Sequence, residues 1–164
     1  MSDFWHYRDN TLYGGDENLF AIAEKFGTPT YVYSQMLIEQ HWQAYKKALE
    51  GYPHHIFFAV KANSNLAILQ LLAKLGAGFD IVSGGELKRV LLAGGDPAKI
   101  VFSGVGKTVA EIAEALKANI YCFNVESLPE LDRIQEVAQT LNLPARISLR
   151  VNPNVNPQTH PYIS

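Results

Sequence analysis

Lys61 ends the apolar run Phe57-Phe58-Ala59-Val60 and is followed by Ala62-Asn63-Ser64-Asn65. A lone cation in that position has two ordinary fates. Its stem can snorkel while the ammonium stays in water. Alternatively, desolvation favours the neutral amine, a nucleophile of the kind that forms Schiff bases with carbonyl compounds. The local sequence leaves both open. Three more apolar runs end in polar pairs: Asp80 with Ser83, Asn124 with Glu126, and Arg150 with Asn152. An amine, two carboxylates and a guanidinium gathered on one rim would be hard to explain by stability alone, and they favour the reactive amine. Arg150, inside the apolar stretch Ile147-Ser148-Leu149-Arg150-Val151, also requires an acceptor.

The elements that must carry these residues are legible as a repeating pattern. Short β-rich runs occur at Thr30–Tyr33, Ile56–Val60, Phe79–Val82, Ile100–Phe102, Ile120–Phe123 and Arg146–Val151. Between them lie helical stripes: Ile38, Trp42, Tyr45 and Leu49; Ile68, Leu69, Leu72 and Leu75; Ile112, Ala113 and Leu116; and Leu131, Ile134, Ala138 and Leu141. Ser83-x-x-Glu86, Thr108-x-x-Glu111 and Ser127-x-x-Glu130 have capping-box spacing just after expected strands. Gly27, Gly51, Gly76 and Gly94-Gly95 follow helical stretches, where a left-handed residue closes a helix.

Strands alternating with helices imply right-handed crossovers and a parallel sheet, either doubly wound or closed as a (β/α) barrel. A doubly wound sheet predicts a phosphate fingerprint, and both near-matches fail. Gly76-Ala77-Gly78 is followed by Ile81 where the third glycine belongs, and Gly106-Lys107-Thr108 has Val101 where a P-loop begins with glycine. Lys107 therefore reads as a solvated turn lysine. Polar groups at the carboxyl ends of successive strands are the pattern of barrel enzymes.

Composition excludes several other classes. The chain has 164 residues, 48% of them hydrophobic and 18% charged, with a net charge of -2. No basic stretch is interleaved with aromatics, which argues against nucleic acid or an anionic membrane as partner. Cys122 is the single cysteine, so neither an intrachain disulfide nor a zinc pattern is expected. Neither a signal peptide nor an apolar run of membrane length stands out, making the cytoplasm the expected compartment. His54 and His55 precede the first barrel strand, away from the expected chemistry.

Three runs resemble the PLP-dependent group IV decarboxylases, which share the alanine racemase barrel. They are Phe58-Ala59-Val60-Lys61-Ala62-Asn63; Gly76-Ala77-Gly78-Phe79-Asp80 with Ser83 and Glu86; and Phe123-Asn124-Val125-Glu126-Ser127 with Glu130-Leu131. Ser103-Gly104-Val105-Gly106-Lys107-Thr108, Arg150-Val151-Asn152-Pro153 and Thr159–Ser164 narrow the resemblance to members that convert meso-diaminopimelate to L-lysine and carbon dioxide. The resemblance implies that Lys61 carries pyridoxal 5'-phosphate as a Schiff base and that Asp80 lies close to both. Arg150 would reach the cofactor region, finding its acceptor in PLP oxygens or Asp80, and Ser83 and Glu86 would also touch the cofactor. His160 would not be catalytic. A small amino-acid substrate and a homodimer of the full-length protein follow from the same resemblance. Related decarboxylases of ornithine, arginine or carboxynorspermidine remain alternatives. So do a non-catalytic binding or regulatory homologue and a lysine-dependent aldolase without PLP.

The expected fold is α/β: the N-terminal part of a PLP-binding (β/α)8 TIM-type barrel, with five of eight strands present and the family's C-terminal β domain absent. Residues 1–27, with a helical stretch at Glu17–Phe26, would lie outside the barrel, and residues 28–164 would form its truncated part. Phe4, Trp5 and Tyr7 would be exposed contact residues. A full barrel takes about 250 residues, so the chain alone is expected to be inactive and prone to associate through open sheet edges.

Overall fold

Asp9 and Asn10 hold left-handed φ angles of 49° and 60° in the computed structural model, and this pair reverses the chain between two short strands. The structure describes residues 4–151 together with Pro153, Val155 and Gln158. Strand β1 (Trp5–Arg8) pairs antiparallel with β2 (Thr11–Gly14), which pairs with β3 (Glu17–Asn18). The sequence reading missed this hairpin, although an Asp-Asn pair that tolerates positive φ is a turn signal. Helix α1 (Leu19–Phe26) follows, with the Asn18 side chain accepting from the amides of Phe20 and Ala21. Tyr7 is exposed as expected, whereas Phe4 is half-buried and its ring meets Trp5 edge to face.

Thr30–Tyr33, expected as a strand, has no ladder partner and stays extended coil, with Tyr31 and Tyr33 exposed. Helix α2 (Gln35–Ala48) buries Trp42, but Tyr45 of the expected stripe is exposed. The chain divides by compactness into Met1–Gly51 and Tyr52–Ser164, so α2 groups with the leading residues, and the boundary differs from the one expected at Gly27.

In the second unit, the other five β-rich runs form one parallel sheet. It contains β4 (Phe57–Ala59), β5 (Gly78–Ile81), β6 (Ile100–Phe102), β7 (Cys122–Val125) and β8 (Ile147–Leu149), in the spatial order β4-β5-β6-β7-β8. Between successive strands lie α3 (Leu66–Lys74), α4 (Gly84–Leu92), α5 (Val109–Ala118) and α6 (Leu128–Leu141). A doubly wound sheet reverses strand order at a switch point. This sheet never reverses; strands follow one another as they do around a barrel wall.

Register sorts the side chains by face. Ala59, Asp80, Val101 and Cys122 lie in one row across β4 to β7, and Asn124 pairs with Ser148 in the next row of that face. The alternate positions hold Phe79, Ile81, Ile100, Phe102, Phe123 and Val125, all 3% exposed or less. The helices bury Leu69 and Leu72, Leu87 and Val90, Ile112 and Ala115, and Ile134 and Val137. Period two in the strands thus separates an apolar core face from a face that carries polar groups.

All three expected capping residues start their helices. Ser83 accepts from the Glu86 amide, Thr108 from Glu111 and Ser127 from Glu130. Asn119 and Asn142, both at left-handed φ, terminate α5 and α6. No helix among the described residues is long and apolar enough to cross a membrane.

Candidate active site

Lys61, Asp80, Ser103, Asn124, Ser148 and Arg150 line one cavity of about 430 Å³, with every strand of the parallel sheet contributing at or just past its carboxyl end. At the first strand end, residues 60–62 form one 3-10 turn. Val60 is fully buried, anchoring the turn, while Lys61 is exposed. The expectation that desolvation makes Lys61 reactive is therefore corrected. Its amine is accessible and makes no hydrogen bond or ion pair with any described residue.

A line of hydrogen bonds crosses the next three strand ends. The Asn124 amide Nδ2 donates to Ser103 Oγ at 2.9 Å, and Ser103 Oγ donates to Asp80 Oδ1 at 2.6 Å. Ser103 can do both because a hydroxyl is donor and acceptor at once. Cys122, on the same face, is buried, and that burial pushes its thiol above the ordinary range. Sequence reasoning named Asp80 and Asn124 but missed Ser103 and Ser148. Their signal is parity: each lies two positions beyond a residue of the polar face's row or pairs directly with one.

Arg150 does not pair with Asp80, one of the two acceptors expected for it. Nη1 donates to Glu126 Oε2 at 2.9 Å, so Glu126 takes the place anticipated for Asp80. The Arg150 side chain is 66% exposed, and its remaining donors can serve a ligand. Glu126 Oε1 accepts from the Gly104 amide at 2.9 Å, tying the end of β7 to the turn after β6.

Lys107 is the largest departure from the sequence reading. Its side chain is 0% exposed and its ammonium donates to Glu130 Oε1 at 2.6 Å, to Gly104 O at 2.7 Å and to Asn124 O at 2.9 Å. It is a buried, fully satisfied cation. The signal was absent locally because two of its acceptors lie on β7 and α6, distant in sequence.

Ser83 and Glu86 do not line the cavity. Ser83 Oγ accepts from the Glu86 amide at 3.2 Å, and Glu86 Oε2 accepts from the Val82 amide at 2.7 Å, so both are occupied in starting α4. Glu111 is spent in the same way, but reaches further. It accepts from Gly84, at the start of the preceding helix, and from the amide and hydroxyl of Thr108. The Gly84 amide first, then Thr108, hold its carboxyl below the ordinary range. Asn63 accepts from the Asn65 amide within the turn leading to α3. His55 packs its ring near Phe57 and Tyr121, at the amino ends of the strands. Asn152 and His160 lie outside the described residues.

This donor set fits one kind of group well. A free amine can condense with an aldehyde, a largely exposed guanidinium can bind an anionic oxygen, and hydroxyl and amide groups can orient a ring. The volume falls in the range typical of small-molecule sites, about 300–1,000 Å³. Pyridoxal 5'-phosphate, with one aldehyde, one phosphate and a polar ring, matches these partners. No group of three or more His, Cys, Asp or Glu able to hold a metal occurs among the described residues.

Comparison with known proteins points the same way. Over its whole length the chain is similar to diaminopimelate decarboxylase of Pseudomonas aeruginosa, at 61% identity across 99% of this chain. It spans 39% of that relative's length. The crystal structure of diaminopimelate decarboxylase from M. jannaschii superposes with a TM-score of 0.87 at 44% identity, over 98% of this chain and 38% of that one. The Helicobacter pylori enzyme, complexed with L-lysine, gives 0.84 at 50% identity, over 88% of this chain and 37% of that one. Residues 35–164 match the family described as pyridoxal-dependent decarboxylase, pyridoxal binding domain. With strand order, cavity and sequence in agreement, the chain belongs to the pyridoxal-dependent decarboxylases, its residues 35–164 falling in their pyridoxal-binding domain.

Proposed function

We propose that the intact protein is a diaminopimelate decarboxylase, releasing carbon dioxide from meso-diaminopimelate to leave L-lysine, with Lys61 as the residue that holds the cofactor. The observation that carries this reading is the Lys61 amine, unpartnered among described residues, on a cavity it shares with Asp80 and Arg150. Substrate choice leans on the identity to enzymes of that name. When bound, pyridoxal phosphate supplies an electron sink for the pair left as carbon dioxide departs.

The chain's own residues then have separable tasks. Lys61 Nζ would hold the cofactor, as an amine able to condense with an aldehyde, and could hold or deliver a proton at that position. Asp80, its carboxylate fixed by the Ser103 hydroxyl, sets the charge balance beside that amine. Arg150, held by Glu126, offers its free donors to an anionic group of cofactor or substrate. Ser83 and Glu86 start α4 outside the lining of the cavity and are assigned no step.

The test uses the full-length protein with meso-diaminopimelate, ornithine, arginine and carboxynorspermidine in parallel, following carbon dioxide and the amine product. L-lysine from meso-diaminopimelate is expected. Turnover of another substrate alone would overturn the substrate assignment. Borohydride reduction with pyridoxal phosphate, followed by peptide mapping, should mark Lys61; an unmarked Lys61 without any turnover would leave a binding homologue. A homodimer and a cytoplasmic location follow from the family resemblance, and sedimentation and cell fractionation test them.

A further inference from the structure

We propose that the buried Lys107–Glu130 pair is a positioning device for the cavity, fixing the strand end Asn124–Glu126 and, through Glu126, the guanidinium of Arg150. The inference rests on the reading of this cavity as the cofactor site. The two side chains are 0% and 4% exposed and meet at 2.6 Å. Lys107 has three protons and three acceptors, Glu130, Gly104 O and Asn124 O, so its ammonium has no donor left for a ligand. Glu130 uses its second oxygen, Oε2, to accept from the Glu126 amide at 2.9 Å. The pair therefore grips the backbone on both sides of Val125: the carbonyl of Asn124 and the amide of Glu126. The side chains of those two residues face the functional groups, Asn124 donating to Ser103 and Glu126 accepting from Arg150.

Stability is a weak explanation for this arrangement. Buried ion pairs repay their desolvation poorly, and well-packed apolar pairs of similar volume are often as stable or more so. Helix capping does not require Lys107 either. At the start of α4, Glu86 closes its cap on the Val82 amide, and at the start of α5, Glu111 uses Gly84 and Thr108. Neither carboxylate has a buried lysine. The lysine appears only at the turn whose backbone carries two residues tied into the cavity network.

The experiment compares the full-length wild type with Lys107→Met/Glu130→Leu, which removes both charges at similar volume. Melting of the apoprotein, hydrogen exchange at the Glu126 and Gly104 amides, and the dissociation constant of pyridoxal phosphate are measured. The expected result is a folded variant with faster exchange at both amides and a cofactor dissociation constant raised at least about 10-fold. Arg150→Lys should weaken cofactor binding in the wild type but add little in the double variant, a coupling that loss of stability alone does not produce. Wild-type cofactor affinity with unchanged exchange, or full additivity with Arg150→Lys, would overturn the proposal. If the double variant does not accumulate folded, Glu130→Gln decides by the same readouts. The wild-type control separates the two readings. If Lys61 of the wild type takes no cofactor, the functional reading fails, while exchange at Glu126 still reports whether the pair grips the strand end.

Discussion

Lys61 and Lys107 lie past the ends of β4 and β6, two strands apart, and have opposite fates: one amine has no partner among the described residues, the other is enclosed by three oxygens. Their substitutions should differ accordingly. Lys61→Ala is expected to leave melting of the apoprotein within about 0.5 kcal/mol, as for an exposed side chain. It should reduce turnover of the full-length enzyme on the order of 1,000-fold or more and abolish borohydride labelling. Glu111 gives a pH prediction. Its folded carboxyl titrates below the ordinary value of 4.5, so it stabilises the fold above that value and loses this contribution as pH falls through the lowered one. Glu111→Gln should therefore cost about 1 kcal/mol near neutrality, with the difference in melting from wild type narrowing below pH 4.5, as thermal scans across pH would show. That Lys61, Asp80 and Arg150 gather on one rim was legible because residue type and strand-end position suffice to place them there. Ser103 was not, because its place depends on register with Asp80 and Asn124, and Glu126 was not foreseen as an acceptor for Arg150 because only the strand order shows that the ends of β7 and β8 are adjacent.

At the scale of elements, alternation of strand and helix and the three N-capping residues were readable because each depends on neighbours within a few residues, although of the three only Thr108 and Glu111 close a full capping box. The hairpin of β1 and β2 was not recognised, and Thr30–Tyr33 failed as a strand because β-rich composition without a ladder partner does not make one. Contact between strands supplies its own prediction at Gly78. A Cβ there would lie 2.6 Å from the Phe57 ring and 2.8 Å from the Lys99 carbonyl, at the junction of β4 and β5. Gly78→Ala should destabilise by about 1–3 kcal/mol, visible in urea titration of the full-length protein. Phe79→Ala, which empties a fully buried site on the next position, should cost about 3–5 kcal/mol by the same measurement.

For the molecule as a whole, the parallel sheet has two ends, β4 and β8, each paired on one side only among the described strands. Ile147 and Leu149 of β8 are 42% and 66% exposed, and a groove of about 520 Å³ lined by Leu131, Ile134, Ala138 and Leu143 runs beside them. Unpaired edges beside apolar surface favour pairing between chains. The 164-residue chain in isolation should therefore show concentration-dependent association by light scattering.

The cross-links between turns have a direction. Arg89 bonds Ser64 O, Ser103 bonds Asp80, Glu111 bonds Gly84, Glu126 bonds Gly104, and Arg150 bonds Glu126. Each ties a strand-to-helix unit to the unit made just before it, whereas Lys107 reaches forward to Asn124 O and Glu130. A ribosome delivers those five pairs in the same order, so each of these later side chains emerges to find its anchor already in place. The wall of the cavity can thus be assembled during translation, one unit at a time, and ribosome-stalled chains ending after α5 should already protect the Gly84 amide from exchange.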